Sequence, residues 1–396
     1  MAAGIYVHIP FCLQKCFYCD FFSKPEDSDT LREEYTKALL AEIAFYGVKY
    51  EKKLKADAIF FGGGTPSLME PRLISAIIEG IKKNFDISAD AEISLECNPA
   101  TASEENLRHY RECGVNRLSI GAQSFDPEIL KGLGRLHGVD DIKETVSWAR
   151  RAGFDNINLD LMFAVPGQNL AKWEKTIEEA LKLEPEHFSF YSLEIAENTM
   201  FDKMLKDGSL KETPIETDRK MYETVVKELE KNGYDHYEIS NAALPNKECR
   251  HNYKYWNFED YLGLGASAHS FMRGIRFSNV ADTQQYIKAM KNQGVSRTEL
   301  PDANKIALAD CVDAHHTNTY EDSIGEYVFT ALRTKRGVQF SEFENKMKKE
   351  FWAVFRDRRS AFEGFVHNGY AISDSEHIAL TPKGIDISNK IMSIFV

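Results

Sequence analysis

Short apolar runs rich in β-branched or aromatic residues alternate along the chain with longer stretches of helical period. The runs that predict strands are Ile5 to Ile9, Ala56 to Phe61, Ala91 to Cys97, Arg117 to Gln123, Asn156 to Met162 and His187 to Leu193. Helical stretches fall between them, at about Thr30 to Lys53, Pro71 to Phe85, Ser103 to Cys113, Val139 to Ala152 and Leu170 to Leu183. Strand and helix in repeated succession imply a parallel sheet wound by crossover helices, as a doubly wound open sheet or as a complete or partial β/α barrel. The strand faces choose between these. Ile93 and Leu95 oppose Glu92, Ser94 and Glu96; Leu118 and Ile120 oppose Arg117, Ser119, Gly121 and Gln123; Ile157, Leu159 and Leu161 oppose Asn158, Asp160 and Met162. Strands with helices on both faces tend to be apolar throughout, and a closed eight-stranded barrel fills its interior with Val, Ile and Leu. An apolar outside and a polar inside predict an α/β fold built on a partial (β/α)6 barrel with a solvated, ligand-holding lumen.

Beyond Leu193 the alternation loosens. A helix is predicted near Glu216 to Asn232, a strand at Tyr234 to Ser240, an aromatic-rich loop to about Phe271, a helix over Asp282 to Asn292, and a polar linker over Gly294 to Asn304 that contains Pro301. The rest reads as a separate unit: a helix around Ile324 to Arg333, helices through Phe340 to Phe365, a strand pair at Tyr370 to Ile372 and His377 to Leu380, and a last helix. Thr381 and Pro382 open that helix as an N-cap residue and a first-turn proline. The expected division is a barrel with accessory elements over 1–295 and a small C-terminal helical, winged-helix-like domain over 296–396.

Composition narrows the function classes. At about 150 residues per domain, 396 residues allow two or three domains without disulfide staples. The 61 Asp+Glu outnumber the 49 Lys+Arg, and a net charge of −12 argues against a general binder of nucleic acid or anionic membrane. No run approaches the roughly 18 to 20 apolar residues of a membrane span. The opening MAAGIYVHIP has no basic segment and no cleavage site, so it reads as a strand rather than a signal peptide. A cytoplasmic location is expected, and there clustered cysteines are metal ligands or redox groups more often than disulfides. Between Arg333 and Arg359, nine Lys+Arg face four Asp+Glu. A basic winged helix can bind DNA, but no glycine–arginine wing is present; covering the substrate-side opening or meeting a client protein is the alternative.

Cys12, Cys16 and Cys19 form Cys-x-x-x-Cys-x-x-Cys directly after the first strand, so three thiolates within eight residues can converge on one soft metal centre. A structural zinc site would want a fourth ligand and usually paired cysteines. Cys97, Cys113, Cys249 and Cys311 have no such pairing, and His8 reads as a packed strand residue. Coincidental burial of three cysteines is the bland alternative. With Tyr18 just before the last cysteine, the motif resembles that of the radical SAM superfamily. The resemblance implies a partial barrel whose three cysteines hold a 4Fe-4S cluster, with S-adenosylmethionine chelating the open iron and yielding a 5′-deoxyadenosyl radical when the cluster donates an electron.

Gly62-Gly63-Gly64-Thr65-Pro66 follows the second predicted strand. With no lysine and no third spaced glycine it is neither a Walker loop nor a dinucleotide fingerprint. Such a turn lets backbone approach a polar ligand closely, or is only a turn. In a radical SAM barrel it resembles the motif that binds the methionyl amino group, which implicates Gly63, Gly64 and Thr65. Glu96, Gln123 and Asp160 stand toward the C-terminal ends of their strands on the inferred lumen side, with Arg135 on the next connection. Barrel active sites occupy that end, although Arg117, Arg135, Glu96 and Asp160 also suit an internal salt-bridge network. The motifs Glu96-Cys-Asn-Pro99, Gly121-Ala-Gln-Ser-Phe125 and Asn158-Leu-Asp-Leu161 resemble the coproporphyrinogen dehydrogenase branch of the superfamily. There the matching positions contact S-adenosylmethionine, and Tyr6 matches a cofactor-site tyrosine.

Two departures separate the chain from the true coproporphyrinogen III dehydrogenases. Those carry a further cysteine two residues beyond the third cluster ligand, where this chain has Cys19-Asp20-Phe21, and a long N-terminal extension where eleven residues precede Cys12. His251-Asn252-Tyr253-Lys254-Tyr255-Trp256 instead resembles the H-N-x-x-Y-W motif of the HemW-type heme chaperones, and Gly263-Leu-Gly-Ala-Ser-Ala-His269 continues the likeness. The resemblance implies heme as a ligand of His251, Asn252, Tyr255 and Trp256: the aromatic rings offer flat faces and a histidine can ligate heme iron. An aromatic plug of the barrel mouth, with His251 as a hydrogen-bonded core residue, competes with that reading. Cys249 competes as iron ligand, and His315-His316 reads as a solvated turn. The implied functions are delivery of heme to heme-requiring apoproteins by a monomer or homodimer, or oxygen-independent decarboxylation of coproporphyrinogen III.

Overall fold

Local chemistry sets the crossover helices. Ser28 opens the helix Asp29–Lys49 by accepting the Leu31 N–H, Ser103 does the same for Glu104–Glu112 and Asn169 for Leu170–Leu181, while Pro71 occupies the first position of Pro71–Asn84. The helix Val139–Arg151 has Asp140 and Asp141 in its first turn and Arg150 and Arg151 in its last, each sign at its favoured end of the helix dipole. In Pro71–Asn84 the buried residues Leu73, Ile74, Ile77, Ile78 and Ile81 form one stripe. The computed structural model describes residues 2–26, 28–50, 53–99, 101–293 and 308–396.

The strands between these helices are Ala3–Ile9, Lys55–Gly63, Asp86–Cys97, Arg117–Gln123, Ile157–Phe163 and His187–Ser192, taken below as first to sixth. They lie side by side in chain order and pair in parallel throughout. Such sequential winding puts every crossover on one face of the sheet and curves it, as the partial barrel requires. Ile5, Val7, Ile59, Phe61, Leu95, Ile120 and Leu159 pack into one core on the helix side. Arg117, Ser119, Gly121 and Asp160 face the lumen, so the alternation read from the sequence is the observed division of faces.

The sheet continues beyond six strands. Tyr261–Leu264 pairs in parallel with the free edge of the first strand, and His269–Met272, Ile275–Asn279 and Val312–Thr317 follow in antiparallel order. At the opposite edge Asn241–Ala243 and Asp235–Glu238 add to the sixth strand, for twelve strands among the described residues. The expected aromatic loop before Phe271 is therefore a helix, Arg250–Trp256, and two strands. Runs of four residues are too short to display a period. His315 and His316, expected in a turn, lie on the exposed outermost strand.

A buried carboxylate fastens this extension to the barrel. Glu42, on the first crossover helix, accepts hydrogen bonds from Gly265 N (2.8 Å), Asn279 Nδ2 (2.8 Å) and Tyr286 Oη (2.6 Å). Beside it, Tyr35 donates to His8 O (2.8 Å) and accepts from Ala266 N (2.9 Å).

The C-terminal residues form a second aromatic core around Phe343, Phe351, Phe355, Phe362 and Phe395. Helices Tyr320–Ala331, Phe340–Met347, Phe351–Val354 and Arg359–His367 surround a three-stranded sheet of Val338–Gln339, His377–Leu380 and Ala371–Ser373, one strand more than the expected pair. Thr381 caps the next helix by accepting the Gly384 N–H. The polar linker expected over 294–304, and with it the division at 295/296, lies outside the described residues. Val312–Thr317 still belongs to the large sheet. No helix among the described residues is long and apolar enough to cross a membrane.

Replacing Glu42 by Ala takes a buried acceptor from Gly265 N, Asn279 Nδ2, Tyr286 Oη and the Cys311 thiol at once. Unfolding in urea, followed by circular dichroism, is expected to show a loss of about 2–4 kcal/mol, and a smaller loss for Glu42→Gln, which keeps an acceptor.

Candidate functional site

The concave face of the six strands encloses a cavity of about 580 Å³. The cysteine loop lies at the C-terminal ends of the strands, and the helix Arg250–Trp256 crosses their N-terminal ends, where Lys254 Nζ donates to Ala2 O (2.9 Å) and pairs with Asp57 (2.8 Å). Cys12, Cys16 and Cys19 line the cavity, as do Tyr6, Tyr18, Gly63, Gly64, Thr65, Glu96, Gln123, Arg135 and Asp160 and, from the helix, His251, Asn252 and Tyr255. Trp256 does not. It lies one step round the helix from Tyr255, with the Arg333 guanidinium 4.6 Å from its ring centre.

The cysteine loop is held from both sides. Phe11–Cys12 pairs with Lys24–Pro25, Cys19 N donates to Cys16 O (3.2 Å), and Phe17 N donates to Leu133 O (3.1 Å). All three thiols are free. Thr65 Oγ1 donates to Cys12 Sγ (3.6 Å) and Arg135 Nη1 to Cys16 Sγ (3.5 Å). Arg135 is itself fixed by Asn98 Oδ1 and Gly121 O, both at 2.8 Å. A Cβ at position 121 would stand 3.2 Å from Arg135 Nη2, so the glycine permits that approach. Among the described residues no three His, Cys, Asp or Glu side chains surround a single ion position. Free thiols on one loop, two of them receiving hydrogen bonds, instead suit an anionic iron–sulfur cluster, whose charge such donors stabilise.

His8 has a larger role than a packed strand residue. Its Nε2–H donates to Phe22 O (2.8 Å), so Nδ1 accepts the Tyr6 hydroxyl (3.1 Å). Burial pulls its pKa down to about 4, which keeps the ring neutral. The ring also explains Gly63: the backbone there has φ 113°, and a Cβ would come within 2.5 Å of His8 Cε1. The amides of this turn are already engaged, Gly63 N with Glu96 Oε2 (3.1 Å), Gly64 N with Ile9 O and Thr65 N with Phe11 O (both 2.8 Å). An amide cradle for an anion is therefore absent, and what the turn can offer a ligand is carbonyl oxygen, the acceptor an ammonium group needs.

Glu96 and Asp160 face each other's field inside the barrel. Burial, and then the nearby Asp160, push the Glu96 carboxyl up to about 8. Burial also raises Asp160, against hydrogen bonds from Asn158 Nδ2 (2.7 Å) and Ser119 Oγ (3.4 Å). No ion pair joins either acid to Arg117 or Arg135 among the described residues, so the alternative of an internal salt-bridge network is not formed. Gln123 reaches the cavity through a bulge that breaks the register after Ile120, with its own backbone left-handed at φ 62°. A regular alternation of faces gives no sign of such a bulge.

His251 lies at the other end of the lumen. Its ring packs against the stacked pair Phe60 and Tyr6, with centroids 5.4 and 6.2 Å away, and a Cβ on Gly4 would approach it to 3.0 Å. Nε2 is 2.9 Å from Tyr255 Oη, Nδ1 is buried without a partner, and burial pulls the pKa down to about 3. The aromatic segment thus closes the N-terminal floor of the barrel rather than its mouth. Cys249 is buried beside it, with its thiol pushed up to about 12 by burial, and donates to Glu92 Oε1 (3.7 Å).

Residues 6–180 match the Radical SAM superfamily and residues 318–387 match the HemN C-terminal domain. The chain is 35% identical to the heme chaperone HemW of Bacillus subtilis over 397 residues, covering 99% of this chain and 98% of that protein. It is 31% identical to the heme chaperone HemW of Lactococcus lactis over 391 residues, covering 99% and 96%. The structure of coproporphyrinogen III oxidase (HemN) from Escherichia coli superposes with a TM-score of 0.84 over 100% of this chain and 90% of that one, at 24% identity, which is a likeness of fold.

The raised Glu96 pKa makes stability depend on pH. Unfolded, the group ionises near its ordinary value of 4.5; folded, it stays protonated to about 8. Its contribution is fully present below the unfolded value and is lost as pH rises through that window, at up to ~1.4 kcal/mol per pH unit. Urea midpoints of the apoprotein between about pH 5 and pH 8 are expected to fall, and Glu96→Gln is expected to reduce the slope.

Proposed function

Because the chain belongs to the HemW family within the radical SAM superfamily, we propose that it is a heme chaperone that binds a 4Fe-4S cluster and S-adenosylmethionine, holds heme, and passes it to heme-requiring apoproteins in the cytoplasm. The observation that carries this reading is one cavity with two chemically distinct ends: free thiols with donors aimed at them above, and His251 with an unpartnered ring nitrogen in an aromatic floor below. The two working parts are the barrel, whose extended sheet takes in Val312–Thr317, and the C-terminal domain that follows it.

In this reading Cys12, Cys16 and Cys19 hold the cluster, which when bound supplies one-electron chemistry to the sulfonium of S-adenosylmethionine. Thr65 and Arg135 stabilise the charge on the cysteine sulfurs by hydrogen bonding. Carbonyls of the Gly63 to Thr65 turn accept an ammonium group. Glu96 and Asp160, with Gln123, Tyr6 and Tyr18, orient the remaining polar groups of the ligand and exclude water. His251, Asn252 and Tyr255 are the heme contacts; Trp256, packed under Arg333, supports the helix that carries them. Phe21, 65% exposed on the rim of the cavity, offers a ring in place of a fourth loop thiol.

Anaerobically reconstituted protein is expected to bind hemin with a Soret band and to form no vinyl product from coproporphyrinogen III, S-adenosylmethionine and reductant. Absence of the Soret band removes the chaperone reading, and a vinyl product establishes decarboxylation instead. Cys16→Ser is expected to abolish the visible charge-transfer absorption of the cluster while Cys113→Ser retains it. Equal loss in both variants disproves the ligand assignment.

A further inference from the structure

Arg117 opens the fourth strand on the lumen side, in register through Ser94 and Phe60 with Tyr6. The residue is 1% exposed, yet it lines the cavity. Its Nε is buried without a partner, and among the described residues the guanidinium makes no hydrogen bond and no ion pair. A buried cation with five unused donors is costly unless an acceptor meets it.

The acids around it do not supply that acceptor. Glu92 accepts Ser94 Oγ (3.4 Å), Arg250 N (3.3 Å) and His251 N (3.4 Å), and Asp160 accepts Asn158 and Ser119. Both act on Arg117 only through space. Arg135, the other arginine of the cavity, differs: although its Nε too has no partner, its Nη groups donate to Asn98, Gly121 and Cys16. The two arginines thus have separate tasks, one at the cysteine loop and one near the floor.

We propose that Arg117 anchors a carboxylate of the ligand held in the lumen, which on the heme reading given above, and resting on it, is a propionate. The planar guanidinium fork binds a carboxylate in bidentate fashion and with a charge-assisted bond. Tyr6 and Phe60, its neighbours in register, supply aromatic surface for the body of such a ligand, and the His251 ring packs tilted against both. A flat apolar molecule with an acidic edge has the chemistry that these groups recognise.

Hemin and hemin dimethyl ester separate the anchor from the pocket, because the ester keeps the macrocycle and loses the carboxylates. Soret titration of the reconstituted protein is expected to show hemin binding at least about tenfold tighter than the ester, the equivalent of roughly 1.4 kcal/mol. In Arg117→Gln hemin is expected to weaken to the level of the ester while ester binding stays unchanged, and Arg117→Lys to fall between. The wild-type comparison needs no variant, so it holds even where Arg117→Gln unfolds. No hemin binding by wild type overturns the heme reading and this inference with it. Hemin bound without preference over the ester overturns the anchor alone. Equilibrium dialysis of S-adenosylmethionine forms the control, expected to be equal in wild type and Arg117→Gln. Loss of that binding with the hemin preference intact assigns Arg117 to the other carboxylate ligand and overturns the propionate assignment.

Discussion

A parallel strand can be reached only by a crossover, and when every crossover lands on the same side the other side of the sheet is left without a helix to cover it. The rest of the molecule follows from that asymmetry. Apolar side chains of the six strands find partners under the helices, whereas the opposite set faces a cavity. Inside it the acids meet a low-dielectric environment: burial pushes Glu96 to about 8 and raises Asp160. Polar groups placed there lower stability unless a ligand or neighbour satisfies them. The barrel tolerates them because its outer core, with Trp173, Tyr110 and Phe188 fully buried, is large.

The two ends of the lumen are closed by different means. At the C-terminal ends of the strands a loop tied back by Phe11–Cys12 and by the Phe17 amide presents sulfur and backbone. At the N-terminal ends the helix Arg250–Trp256 is pinned by Lys254 to Asp57, Glu259 and Ala2 O. His8 connects the upper end to the middle, since one neutral ring fixes the Phe22 carbonyl and the Tyr6 hydroxyl together. Tyr35 bonds the carbonyl of that same His8 and the amide of Ala266, so the carboxylate network around Glu42 reaches the backbone behind the site.

Much of this is legible in the residues because two signals are local. Alternating faces need only period two, and the spacing of Cys12, Cys16 and Cys19 needs only a single loop. What escaped depends on contacts between distant segments or on departures from regularity. The bulge at Gln123 has no marker, because a left-handed glutamine looks like any other strand residue in the sequence. The helix Arg250–Trp256 is seven residues long and is stabilised by Glu92, about 160 residues earlier, accepting its first amides, so propensity alone underestimates it. The motif groups Trp256 with its neighbours, whereas helical geometry turns it toward Arg333. The partnership of His8 with Gly63 joins two strands, and nothing near either residue announces it.

Arg117 and Arg135 show how far residue type falls short of role. Both are arginines on the lumen side, Arg117 buried and Arg135 half-buried, and from spacing alone both suit one internal network with Glu96 and Asp160. The backbone separates them. Gly121 has no side chain, so Arg135 can reach its carbonyl and continue to Cys16. Arg117 begins its strand where Glu92 is already committed to the amides of the floor helix. An acid committed to neutral donors can still lower the energy of a nearby cation through space, but it cannot provide the directed bonds that five guanidinium donors require. The lumen therefore carries one arginine whose Nη donors are met by the protein itself and one whose guanidinium waits for a further acceptor.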